Sequence, residues 1–270
     1  MKRIALLAVA ALVTLGLMPA TAGAGAAPTG QVTIVHDATF NAPGSPFPVT
    51  VCVDGVAIAG GDEADPFVWG DTLGPLALPA ATYDVAVHQG FVPDCDTLTS
   101  LFDELTVNDG DDITVAAIWP STGPDLVVWP NDSSCYEPAT SARLTVRHGA
   151  ATDGPVDVAG IVNDERTLII SDLPEGGQQT VDVPGGLIAN DVVVASAGNP
   201  DNVIIEVGDL TLVAGNHYVV YAGGGSDGGA DVFVDVIPMD PCVVPVEPTT
   251  TITKPAPAAA AVTAAPKFTG

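Results

Sequence analysis

The chain has 270 residues, with 7 Lys and Arg against 33 Asp and Glu and a formal charge of −26. That balance excludes a polyanionic partner such as nucleic acid, whose phosphates demand clustered Lys and Arg, and is read instead as a means of staying soluble. Hydrophobic types make up 47% and aromatic types only 5%, alongside 29 Gly and 24 Pro, so the core must be aliphatic and the chain must be many short strands broken by turns.

Met1-Lys2-Arg3 precedes an apolar run from Ile4 to Met18 and then small residues to Ala27, the order of a secretory signal. Residues 1–26 are expected to be removed on export, after Ala24 or Ala26. The apolar run is shorter than the roughly 20 residues a membrane span requires, and no other segment qualifies. The mature protein is therefore expected to be secreted or held in the cell envelope with no transmembrane segment. In an exported protein, four cysteines predict two disulfides. Cys52 and Cys95 fall in the first half, while Cys135 and Cys242 bracket the second, which predicts Cys52–Cys95 and Cys135–Cys242. On the loop-entropy model such bridges restrict the unfolded chain by at most about 4 and 5 kcal/mol respectively.

An internal repeat follows. Val32-Thr33-Ile34-Val35-His36 is matched by Leu144-Thr145-Val146-Arg147-His148. Leu76-Ala77-Leu78-Pro79-Ala80-Ala81 is matched by Val181-Asp182-Val183-Pro184-Gly185-Gly186, each ahead of an alternating strand. Leu105-Thr106-Val107 with Gly110 corresponds to Leu210-Thr211-Leu212 with Gly215. Apolar and polar residues alternate within each unit, as in Val49-Thr50-Val51-Cys52-Val53-Asp54, so each strand has one packed face. Turn signals such as Asp54-Gly55, Asp109-Gly110 and Pro184-Gly185 separate the runs, and no window outside the leader sustains a helical period. The expected fold is all-β: two tandem antiparallel sandwiches, immunoglobulin-like or transthyretin-like, of about seven strands each, over residues 29–133 and 134–244. Residues 245–270, rich in Pro, Thr and Ala, are expected to form a disordered tail.

These stretches carry a family resemblance. The opening strands ending in His36 and His148, the Val49 to Gly55 strand with its counterpart Pro155-Val156-Asp157-Val158, and the turn of two small residues before a Val-x-Val strand resemble the bacterial secreted family known as domain of unknown function 4397, in two tandem copies. The resemblance implies an extracellular or envelope β-sandwich without assigned chemistry. The first copy departs by an insertion between Asn41 and Val49, and the second lacks the Val-Asp-Gly that should follow Val158.

Residues with chemical potential are few. His36 and His148 share faces with Val32 and Ile34, or with Leu144 and Val146, and read as inward-pointing structural imidazoles. No nucleophile motif accompanies them, and His88 and His217 show no metal spacing. Asp109, Asp111 and Asp112 are the candidate calcium ligands, although the matching loop Val213-Ala214-Gly215-Asn216 holds no carboxylate. Trp69, Trp119 and Trp129 read as core or inter-unit packing, with a sugar-stacking surface as the sharper alternative. No catalytic residue or cofactor site is expected. The expected function is a non-enzymatic structural or interaction module meeting an envelope or extracellular partner; the alternatives are a carbohydrate or surface-ligand binding protein and a calcium-stabilised adhesin.

Overall fold

A computed structural model of the chain describes residues 27–39, 48–95, 100–135, 140–152, 154–225 and 230–239. The expected leader, the expected tail and Cys242 lie outside the described residues. Seventeen strands and no helix are present among those described. The first half holds β1 (Thr29–His36), β2 (Ala38–Thr39), β3 (Val49–Val53), β4 (Val56–Ala59), β5 (Thr72–Pro79), β6 (Ala81–Gln89), β7 (Ser100–Val107), β8 (Asp112–Ile118) and β9 (Asp125–Pro130). The second holds β10 (Ser141–His148), β11 (Val156–Val162), β12 (Glu165–Leu173), β13 (Gln178–Pro184), β14 (Leu187–Ser196), β15 (Asn199–Leu212), β16 (Asn216–Gly225) and β17 (Ala230–Pro238).

The fold is all-β, with four largely antiparallel sheets in two pairs. In the first pair the strand orders are β5-β1-β8-β9 and β4-β3-β6-β7; in the second they are β13-β10-β16-β17 and β12-β11-β14-β15. Each order maps onto its counterpart strand for strand. The parallel exceptions are β1 with β8, β10 with β16, and the short β2 with β16. The repeat markers coincide in space as well. The Gly110 amide donates to Thr29 O and the Gly215 amide to Ser141 O, while the Ala80 and Gly185 amides donate to Pro28 O and Thr140 O. The hairpin turn absent after Val158 is displaced, not lost. Asn163 and Asp164 take the positive φ values that Asp54 and Gly55 take in the first unit, after a strand of seven residues instead of five.

Alternation explains the two sandwich cores. Val32 and Ile34 of β1, with Val115 of β8, meet Val51, Val85 and Leu105 from the facing sheet. Leu144 and Val146 of β10, with Val220 of β16, meet Val158, Ile170 and Val194. At roughly 25 cal/mol per Å² of apolar surface removed from water, these clusters are the main stabilising term. The Cys52–Cys95 disulfide ties β3 to the segment after β6, across a sequence separation of 43.

The two sandwiches expected from the sequence are present, and a third core joins them. Val35, Ala116, Ile118 and Trp129 of the first unit pack against Val219 and Tyr221 of the second, with Val127 and Phe233 at the margin. Main-chain bonds cross the boundary too, since β2 pairs with Gly224 and Gly225, and the Trp119 amide donates to Gly149 O. Facing sheets thus stack in four layers, with the outer face of β1-β8-β9 against the outer face of β10-β16-β17.

Candidate functional site

The contact between the two units gathers most of the chain's unusual side chains. On β10 the residues alternate: Leu144, Val146 and His148 point into the second sandwich, leaving Arg143, Thr145 and Arg147 on the face toward the first. All eight residues of β10 are consequently buried. Buried charge demands partners, and Arg147 finds them on both sides of the boundary. Its guanidinium donates to Tyr221 Oη at 2.7 Å, to Asn131 Oδ1 at 2.5 Å and to Gln178 Oε1 at 3.2 Å. Its carbon Cζ sits 5.2 Å from the ring centres of both Trp129 and Tyr221. Burial pulls the Arg147 pKa down from the ordinary arginine value, opposed by Tyr221, Asp235 and Asp37.

Trp129 is 2% exposed and its indole N–H donates to Gly176 O of the second unit at 2.7 Å. Gln178 returns a bond to Pro130 O, while the Ser121 amide and hydroxyl donate to Glu175. Trp69 lies edge-on to Phe233, with ring centres 5.5 Å apart, and Phe233 stacks on Tyr221 at 4.5 Å. Trp119 is half-buried and packs at the edge of the first sandwich core. The three tryptophans therefore form no common sugar-stacking surface; two of them are spent on the inter-unit contact, because the second unit covers the face that the sequence leaves open.

The histidines divide. His148 donates from Nδ1 to Leu173 O and lies 3.2 Å through Nε2 from Thr152 Oγ1, so it is a hydrogen-bonded core residue. His36, at the equivalent place, is fully buried with neither ring nitrogen bonded among the described residues, and burial lowers its pKa to about 4. His217 Nε2 lies 2.8 Å from Thr145 Oγ1, which also meets Thr180 Oγ1 at 2.7 Å. A hydroxyl beside an imidazole resembles a nucleophile and its base. Here burial, followed by the charges of Arg143 and Arg147, lowers the His217 pKa to about 4, which makes it a weak base, and Thr145 is buried.

Asp109, Asp111 and Asp112 do not converge. Asp109 accepts from the Thr29 amide, Asp111 from Asn108, and Asp112 from Asn131. No group of three or more His, Cys, Asp or Glu side chains suited to a metal occurs among the described residues. Cys135 is disulfide-bonded, but its predicted partner Cys242 lies outside the described residues, so only the Cys52–Cys95 bridge is seen in full.

Beside the inter-unit core lies a cleft of about 450 Å³. Gln31, Asp112, Asn131, Asp132 and His217 give it a polar wall, and Val219 and Ile237 an apolar floor. Its size is within the usual range for small-molecule sites. The sequence signals neither the cleft nor the role of Arg147, because strand alternation does not say whether an outward face meets water or another sheet.

The comparisons match residues 30–159 to a family described as a domain of unknown function, DUF4397. The matched stretch runs from β1 through β9 and into β10 and β11. No curated protein matches the chain. No helix among the described residues is long and apolar enough to cross a membrane.

Proposed function

Residues 30–159 belong to the DUF4397 family, and from that premise we propose that the chain is a non-enzymatic module of the secreted or cell-envelope compartment, a doubled sandwich that serves a structural or interaction role. The observation that carries this reading is the fate of the polar side chains between the units. Arg147, Trp129, Gln178 and Glu175 are all consumed in holding one sandwich to the other, Arg147 through its bond to Asn131. A site for turnover would keep such groups free to meet substrate. The four-layer stack is a stiff body fit for display to an envelope or extracellular partner.

The test is to express the full chain in an exporting bacterial host, fractionate the cells and weigh the product. A processed chain beginning after Ala24 or Ala26, outside the cytoplasm and with its thiols oxidised, supports the reading. An unprocessed cytoplasmic chain contradicts the compartment, and turnover of an ester or glycoside that His217→Gln abolishes contradicts the non-enzymatic role.

A second reading rests on the cleft. Its mixed lining suits a small polar ligand such as a sugar, held by Gln31, Asp112 and Asn131 instead of by the tryptophans. Calorimetric titration of the mature protein with a glycan panel tests it; binding that Asp112→Ala leaves intact would count against this site.

A further inference from the structure

Asp37 follows β1 directly and sits at the point where the first unit enters the second. It is completely buried, and neither carboxyl oxygen has a hydrogen-bond partner among the described residues. The carboxyl group lies against two glycines of the second unit, Gly149 and Gly223, and a Cβ built on either would collide with it. Backbone bonds hold it there. The Asp37 amide donates to Ala117 O, and the next two residues, Ala38 and Thr39, pair with β16. Gly149 stands where the repeat would place a second Asp37, directly after His148. Of these two equivalent positions only the first carries a carboxyl, and Gly149 at the second leaves the space for it.

An ionised carboxylate with no hydrogen bond in a buried interface is costly, far more so than the neutral acid. The geometry points to Asp37 as a proton-dependent pin, which keeps the two sandwiches docked while it carries a proton and loosens them when it ionises. Burial pushes its pKa well above the usual carboxylate range, against the opposing pull of Arg147. The other groups around it are Tyr221 on β16 and Asp235 on β17, which share the field of Arg147, and the adjacent His36. Asp235 is also raised, first by burial, so it acts in the same direction.

The sign follows from linkage. A carboxyl raised in the folded state contributes stability at low pH that is lost as pH rises toward its folded pKa. His36 ionises below this window and Tyr221 above it, so the range from about pH 6.5 to 9 isolates the carboxyls. The experiment measures the folding constant by denaturant titration across that range for the full chain, Asp37→Asn and Asp235→Asn, with small-angle scattering of each.

The wild type and Asp235→Asn are expected to lose up to about tenfold per pH unit for each raised carboxyl and to expand as the units part, while Asp37→Asn shows a shallower slope than the wild type and stays compact. Equal slopes in wild type and Asp37→Asn, or a wild-type particle as compact at pH 9 as at pH 6.5, would overturn the proposal. Should Asp37→Asn fail to fold, infrared spectra of the wild type and Asp235→Asn decide. A protonated carboxyl band at pH 7 that disappears on alkalinisation supports the pin, and its absence refutes it.

Discussion

Arg147 of the second sandwich holds its guanidinium 5.2 Å from the ring centre of Trp129 in the first. The same group donates to Tyr221 and Asn131, one from each unit. A buried cation thus joins the two halves through a ring face and hydrogen bonds, an arrangement stronger away from water than at an exposed surface.

Removing that group should therefore loosen the junction. Arg147→Ala is expected to cost about 3 kcal/mol, through lost charged hydrogen bonds and the void left behind. Arg147→Met, which refills most of the space without a charge to desolvate, should cost clearly less. Denaturant unfolding of both variants checks the order; equal losses would show that the charged hydrogen bonds, and not the filled volume, carry the whole effect.

Acid should weaken the protein through its buried imidazoles. His36 and His217 have folded pKa values of about 4, below the ordinary histidine value, so both stay neutral in the fold while the unfolded chain takes up protons. Their contribution is complete above about pH 6.5 and is lost as pH falls toward 4, by up to roughly 3 kcal/mol for His36 and by less for His217, which solvent screens more. His217→Gln should flatten part of this limb in a urea titration, and an unchanged limb would mean that His217 is not the residue responsible.

The Cys52–Cys95 bridge closes a separation of 43 residues. Replacing both cysteines with alanine should lower stability by up to about 4 kcal/mol, measured under oxidising conditions against the intact protein. A loss below about 1 kcal/mol would mean that the reduced chain is already restrained there.

Calcium should leave the melting temperature unchanged. Asp109, Asp111 and Asp112 are each engaged by a separate donor, Thr29, Asn108 and Asn131. A melting curve that rises with calcium and falls with chelator would favour the adhesin reading instead.

Much of the architecture was legible in the chain itself. Period-two alternation marks Val32 and Ile34, or Leu144 and Val146, as core residues, and the paired glycines Gly110 and Gly215 mark equivalent turns. The opposite faces were not legible. Val35 and Arg147 occupy the same place in the repeat, yet one is apolar and the other charged, and neither pattern announces that a second sheet covers both. Trp129 illustrates the consequence: the sequence offers it as a surface for sugars or as packing, and only the docking of the second unit decides for packing. Asp37 passes unnoticed for the same reason, since a lone Asp after a strand reads as a solvated turn.

The most direct test of the docked arrangement is hydrogen exchange at the Trp129 indole N–H, followed by NMR in the full chain. Bonded to Gly176 O across the boundary, that proton should exchange only through unfolding or separation of the units, far more slowly than an exposed indole. Exchange at the rate of an exposed indole under native conditions would contradict the account, because it would mean that the two sandwiches do not stay together.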